Sequence, residues 1–303
     1  MELINEDIQI ISAPSILGLK PTGVEALGDS LLASGLYETL KTQNTVIRLE
    51  TLNTQYSEKR EPRSNLLNAL AIKNFSMSLD EVVVNSIDKN NFPFVLGGDC
   101  SILIGITSAL KAKGNYGLIF LDAHADFYEP EKSITGEVAD MDLAIVTGRG
   151  PGILTNIHNL QPYIKDENVV HVGQRDWEET RKYGSQDIRE TPIKCFSLAE
   201  IKRKGINTTT EEILQHINKA EVEGFWIHFD TDVLSDEINP AVDYRLPDGL
   251  RFEQVEYLIR SLLKTERMIG ISVTIFNPRL DKTGNVSKNI TESLGKAFNL
   301  ETR

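Results

Sequence analysis

Cysteine is scarce in this chain: 303 residues carry only Cys100 and Cys195. Two thiols cannot build a disulfide framework, and such sparing use fits a reducing compartment. No apolar run approaches the roughly 20 residues needed to span a bilayer. Basic blocks are also lacking. Lys and Arg number 32 against 44 Asp and Glu, for a net charge of −12, and the longest basic run is Lys202-Arg203-Lys204. That balance argues against a nucleic-acid or anionic-membrane binder. Residues Met1 to Asp7 are acidic and lack the positive n-region of a secretory signal. There is no internal repeat, low-complexity tract or Gly/Pro-rich linker. The expectation is one cytoplasmic domain over residues 1–303 that binds neither membrane nor nucleic acid.

What is present is alternation. Short apolar runs at 8–12, 45–49, 92–96, 117–121, 168–172, 193–196, 224–230 and 268–275 read as strands. Between them, 24–40 (broken near Gly35), 66–88, 101–113, 135–149, 197–203, 208–220, 250–264 and 286–300 read as helices. Strands that alternate with helices form right-handed βαβ units, so the fold class is α/β, with a mainly parallel sheet covered on both faces. Ligands of such sheets bind beyond the carboxyl ends of the strands.

Three of those ends carry polar clusters. Gly97-Gly98-Asp99-Cys100 follows one strand. Asp122, His124 and Asp126 alternate after 117–121, and Asp230 and Asp232 alternate at the end of 224–230. Alternate side chains of an extended chain share a face. Four carboxylates in one pocket repel unless cations compensate them. Two divalent ions bridged by shared carboxylates resolve this and can generate hydroxide near neutral pH. One structural ion in one cluster, with the other cluster solvated, is the competing arrangement. Cys100 is a candidate sixth ligand. His228, on the face of Asp230, is placed to support the ions. His158, His171, Trp177 and Trp226 read as surface, strand and packing residues.

Gly97-Gly-Asp-Cys-Ser101, Asp122-Ala-His-Ala-Asp126 and His228-Phe-Asp-Thr-Asp232 resemble the signature blocks of the ureohydrolase family, which includes arginase, agmatinase and formiminoglutamase. Gly23-Val-Glu25, Gly173-Gln-Arg-Asp176 and Phe276-Asn-Pro278 are also similar to family features. The resemblance implies a three-layer αβα sandwich and a binuclear centre, most simply of manganese. By position, Cys100, Asp122, Asp126 and Asp230 would hold one ion. His124, Asp122, Asp230 and Asp232 would hold the other, with Asp122 and Asp230 bridging. It further implies attack of a metal-bridging hydroxide on a guanidine or amidine carbon, with release of urea or a urea-like product. Asp126 would orient the hydroxide and move its proton to the leaving nitrogen. The family's trimers and hexamers imply a homo-oligomer.

The chain departs from the family pattern at three positions. Cys100 replaces a His ligand, and a thiolate favours zinc or iron over manganese. Ala139 stands where a proton-shuttling His is usual, with Tyr128, Glu137 and Asp140 nearby. Ile275 stands where a Glu binds the guanidinium, and an apolar side chain forms no such ion pair. Ser133 and Thr135 remain as polar contacts for substrate, and Glu178 is placed to meet a substrate amino group. The expected activity is metal-dependent hydrolysis of a linear guanidine or amidine. N-hydroxyarginine and formiminoglutamate are the alternative substrates. A non-catalytic binding or regulatory protein that keeps the fold is the reading from another class.

Overall fold

The structure, a computed structural model, describes residues 8–50 and 56–299. The acidic N-terminal heptapeptide lies outside the described residues. The strands are β1 (Ile8–Ser12), β2 (Ile47–Arg48), β3 (Phe92–Leu96), β4 (Gly117–Leu121), β5 (Val169–Val172), β6 (Lys194–Phe196), β7 (Phe225–Asp230) and β8 (Met268–Thr274). They form one eight-stranded sheet in the order β2-β1-β3-β8-β7-β4-β5-β6, and every strand pairing is parallel.

The helices are α1 (Leu27–Ala33), α2 (Leu36–Leu40), α3 (Ala69–Asp88), α4 (Ile102–Lys113), α5 (Asp142–Val146), α6 (Gly152–Thr155), α7 (Trp177–Tyr183), α8 (Leu198–Lys204), α9 (Ile206–Lys219), α10 (Phe252–Leu263) and α11 (Asn285–Phe298). Side chains of α1, α2 and α8 to α11 pack with Ile8, Ile10, Ile119 and Ile227 on one face. Those of α3 to α6 pack with Ile11, Leu118, Phe120 and Trp226 on the other. The expected helix-covered α/β sandwich is therefore present, and the period of two along the inner strands divides their apolar side chains between the two cores.

Two of the segments that differ from the expected elements border the strand ends with the polar blocks. The stretch 135–149 is not one helix. It begins with Gly136 at φ 75, continues through a 3-10 turn at Val138–Asp140, and becomes helical only in α5. The Asp140 carboxylate accepts hydrogen bonds from Ser133 Oγ (2.7 Å) and Thr135 Oγ1 (2.9 Å), and these side-chain bonds hold the backbone in a loop. Helix α7 follows the Gly173–Asp176 turn and had no apolar period to announce it; its one buried residue is Thr180.

The strand order brings the polar blocks together. β4 and β7 are neighbours in register Phe120↔His228 and Leu121↔Phe229, so Asp122 and Asp230 emerge side by side. β3 lies one strand beyond β8, and its following turn folds over the same edge. Asp99 pins that turn, accepting from Ser101 N (2.9 Å) and Ser15 Oγ (2.9 Å). A Cβ at Gly98 would stand 1.8 Å from the Ser15 carbonyl oxygen. Gly98→Ala should therefore destabilise the protein by about 3 kcal/mol, the upper range for overpacking, read as a lower denaturation midpoint. Unchanged stability would show that the turn yields more readily than this contact implies.

Candidate metal centre

Backbone amides fix the carboxylates at the ends of β4 and β7. His124 N donates to Asp122 Oδ1 (2.6 Å), Asp232 N to Asp230 Oδ1 (2.7 Å) and Ala123 N to Asp232 Oδ1 (3.1 Å). Asp and Asn side chains commonly bind the amide two residues on, which explains why Asp-x-His and Asp-x-Asp spacings fold into compact turns here. His124 Nδ1 lies 2.9 Å from Asp232 Oδ2 and 3.6 Å from Asp122 Oδ1. The imidazole of His171 supports it from behind, with Nε2 2.7 Å from the His124 carbonyl oxygen. Asp126 has φ 45, a strained conformation for a non-glycine residue of the kind that persists at functional sites.

Cys100 reaches the same cluster from the β3 turn. Its Sγ lies 2.9 Å from Asp230 Oδ2, to which the thiol can donate, and 3.1 Å from Thr274 Oγ1. Three sets of possible ligand atoms fall within 4.8 Å of one another: Cys100, Asp122 and His228; Asp122, His124 and Asp126; and Asp122, Asp230 and Asp232. The structure thus brings together all six residues predicted as ligands.

The electrostatics call for cations. Burial, reinforced by the Asp232 carboxylate, pushes the pKa of Asp122 up to about 7. Burial and neighbouring carboxylates also raise Asp126 and Asp230 well above the usual carboxylate range. Asp122 Oδ2 is buried without a hydrogen-bond partner. Buried carboxylates in this state are paired, neutralised or bound to metal, and the oxygen-rich donor set fits divalent ions.

Sequence reading missed two further acids. Asp142 opens α5 fully buried and lies against Asp126. An Asp inside the apolar run Met141-Asp-Leu-Ala-Ile-Val146 was the available signal. Asp176 accepts from Ala125 N (3.1 Å) and Gln174 Nε2 (2.9 Å) and so braces the loop that carries Asp126.

A cavity of about 430 Å³ opens above the cluster, with His124, Asp126, Asp230 and Asp232 at its floor. Thr135 lines it, whereas Ser133 is buried behind the wall and is not part of the lining. Glu178 is exposed on α7 and does not face the cavity; its neighbour Glu179 does. Glu137, Asp140, Asp176 and Asp243 complete an acidic wall. Glu137 is held by Tyr244 Oη (2.7 Å) and Lys20 Nζ (3.2 Å).

Cys100, Ala139 and Ile275, the three departures from the family pattern, pack into one apolar cluster with Leu19, Val24 and Val242. Ile275 adopts φ 72, an outlying conformation for a β-branched residue, and it lines the cavity with Ala139. The separate changes in sequence thus form one continuous patch beside the acidic floor.

The chain matches a family profile described as "Arginase family" over residues 11–302. It is similar to the arginase of Bacillus subtilis (strain 168), with 31% identity over 299 residues covering 96% of this chain and 98% of the relative. The arginase of Staphylococcus aureus (strain COL) is 30% identical over 300 residues, covering 96% of each chain. Among solved structures, arginase from Bacillus caldovelox superposes with a TM-score of 0.85 at 26% identity, covering 98% of this chain and 99% of that one.

Proposed function

The chain belongs to the arginase family, and from that premise we propose that it hydrolyses a guanidino or amidino C–N bond with the help of two divalent ions. The observation that carries this reading is the pairing of Asp122 and Asp230 at the ends of adjacent parallel strands, with Asp122 Oδ2 unpartnered beneath an open cavity. Cys100, Asp122, Asp126 and Asp230 would hold one ion. His124, Asp122, Asp230 and Asp232 would hold the other. Bound there, the ions would neutralise the carboxylates and supply Lewis acidity toward water and substrate.

The chain's own groups account for positioning and proton movement. Asp126, on the cavity floor, takes a proton from the attacking water and passes it to the leaving nitrogen. Asp140 lines the cavity beside Ala139, with Oδ1 lacking a partner. Burial pushes its pKa up to about 7, which suits proton exchange near neutrality in place of the usual histidine. Thr135 offers a hydroxyl to the substrate. The acidic wall favours a substrate whose far end is neutral or cationic. The apolar patch at Ala139 and Ile275 favours a less basic, substituted guanidine at the reacting end; N-hydroxyarginine has such a reacting end, although its far-end carboxylate meets the acidic wall.

Manganese suits the oxygen-rich part of the donor set. We take the chain as a single domain acting in the cytoplasm. No helix among the described residues is long and apolar enough to cross a membrane. A trimer or hexamer is supported by family resemblance alone. The activity is tested by urea or ammonia release from arginine, agmatine, guanidinobutyrate, N-hydroxyarginine and formiminoglutamate, with manganese, zinc or iron added. Turnover of at least one is expected. Failure with all five under every metal would sink the reading and favour a non-catalytic role.

A further inference from the structure

His228 has no part in the ligand assignment above, yet its imidazole points into the cluster. It is fully buried, stacked on Phe120 with centroids 5.0 Å apart. Nδ1 lies 2.9 Å from Ser272 Oγ, and Nε2 lies 3.4 Å from Cys100 Sγ. The Ser272 hydroxyl already accepts the indole N–H of Trp226 at 3.0 Å. Its second lone pair can accept His228 Nδ1–H, which leaves the Nε2 lone pair facing Cys100 Sγ, with Thr274 Oγ1 also 3.4 Å away. A hydrogen bond to the far nitrogen is the usual device that orients a metal-binding imidazole.

Building on the proposed function, we infer that one ion of the pair is held by Cys100 Sγ and His228 Nε2 together with an Asp122 oxygen, a thiolate–imidazole–carboxylate set that selects a zinc-class ion. The three ligand atoms lie within 4.8 Å of one another. A tetrahedral ion with Zn–S of about 2.3 Å and Zn–N of about 2.0–2.1 Å separates sulfur from nitrogen by about 3.5 Å. The observed separation is 3.4 Å. The loss of an imidazole at position 100 is thus offset by one from the neighbouring strand, and the change to sulfur moves the site from hard oxygen donors toward softer ones. The His124 site keeps its carboxylate-rich surroundings, so the two positions differ in the ions they prefer.

X-ray absorption at the zinc edge of the full-length, zinc-loaded protein reads the ligands without turnover. The expected spectrum has a sulfur shell at about 2.3 Å and two imidazoles shared over two ions. Cys100→Ser should lose the sulfur shell, and His228→Asn should halve the imidazole contribution. A wild-type spectrum with no sulfur overturns the inference. So does a sulfur shell with an imidazole count unchanged in His228→Asn, because His228 would then only donate a hydrogen bond to the thiolate. The wild-type count of one sulfur and two imidazoles decides the matter even if a variant fails to fold. Guanidine turnover with ions held by oxygen and a single imidazole would overturn this inference and leave the hydrolase reading intact. The expected shells without turnover would do the reverse.

Discussion

Asp122→Asn should give a folded protein that loses tight binding of both ions and about 10³-fold or more of its activity, the scale of a lost electrostatic stabiliser. Without divalent ions the same protein should be more stable than the wild type. Both effects follow from one carboxylate. Asp122 is fully buried. Oδ1 is held by the His124 amide at 2.6 Å, and Oδ2 has no partner. An asparagine can keep the first contact and offer its amide hydrogens to the neighbouring carboxylates, so a buried orphan becomes a donor, worth about 1–3 kcal/mol. A neutral side chain cannot bridge two cations with comparable strength.

The pH dependence separates the two effects. Burial and the Asp232 carboxylate raise the folded-state pKa of Asp122 to about 7, whereas an unfolded Asp titrates near 3.9. Between these values the folded state binds the extra proton. In the presence of a chelator, stability should therefore fall as pH rises from about 4 to about 7, and the Asn variant should lose less over that window. Adding metal should restore the wild type by about 2.7 kcal/mol at a hundredfold excess over Kd, with little gain for the variant. Denaturant unfolding at pH 5 and pH 8, with chelator or metal, measures all of this. A variant that retains two ions and full turnover would remove Asp122 from the bridging position.

The sheet was legible because its signals are local. β1, β3 and β4 fall where short apolar runs bounded by turn residues place them, and the ligand spacing follows from the period of two. Some of what was not legible depends on contacts distant in sequence. The loop at 135–149 carries enough apolar residues to suggest a helix, but the hydrogen bonds that Asp140 accepts from Ser133 and Thr135 decide its path. Asp142 was overlooked because a lone acid in an apolar run has no meaning until Asp126 is seen against it. Cys100, Ala139 and Ile275 read as three independent departures, separated by up to 175 positions along the chain. Only the packing of β3, β8 and the 138–140 turn shows them as one patch with Leu19 and Val242. Glu178 and Glu179 illustrate the finest limit: helix α7 turns one outward and the other to the cavity, and sequence alone does not fix that rotation.

Agmatine, which lacks a carboxylate, should be hydrolysed with a kcat/KM about 10²- to 10³-fold above that of arginine, because like charges brought together in a binding site cost several kcal/mol. The wall that would meet the far end of the substrate presents Asp176, Glu179 and Asp243 as well as Glu137. The guanidinium of Arg245 also lines the cavity, but it is already engaged by Asp236 at 3.0 Å. Lys20 is committed to Glu137 and Tyr244. Asp140, with its pKa near neutrality, adds only part of a charge. A substrate carboxylate would therefore enter a region where, among the described residues, the nearby cations Arg245 and Lys20 are already paired with carboxylates, while an ammonium would find several acceptors. Glu137→Gln tests the origin of the preference. It leaves Lys20 without its carboxylate partner, so the wall gains a positive charge where the carboxylate would lie. Arginine turnover should rise about tenfold, equivalent to about 1.4 kcal/mol, while agmatine turnover falls or is unchanged. Equal or better use of arginine by the wild type would refute the charge argument. If instead the preference is observed but Glu137→Gln leaves it untouched, selectivity would belong to Asp176, Glu179 and Asp243, and their amide variants would be the next to move it.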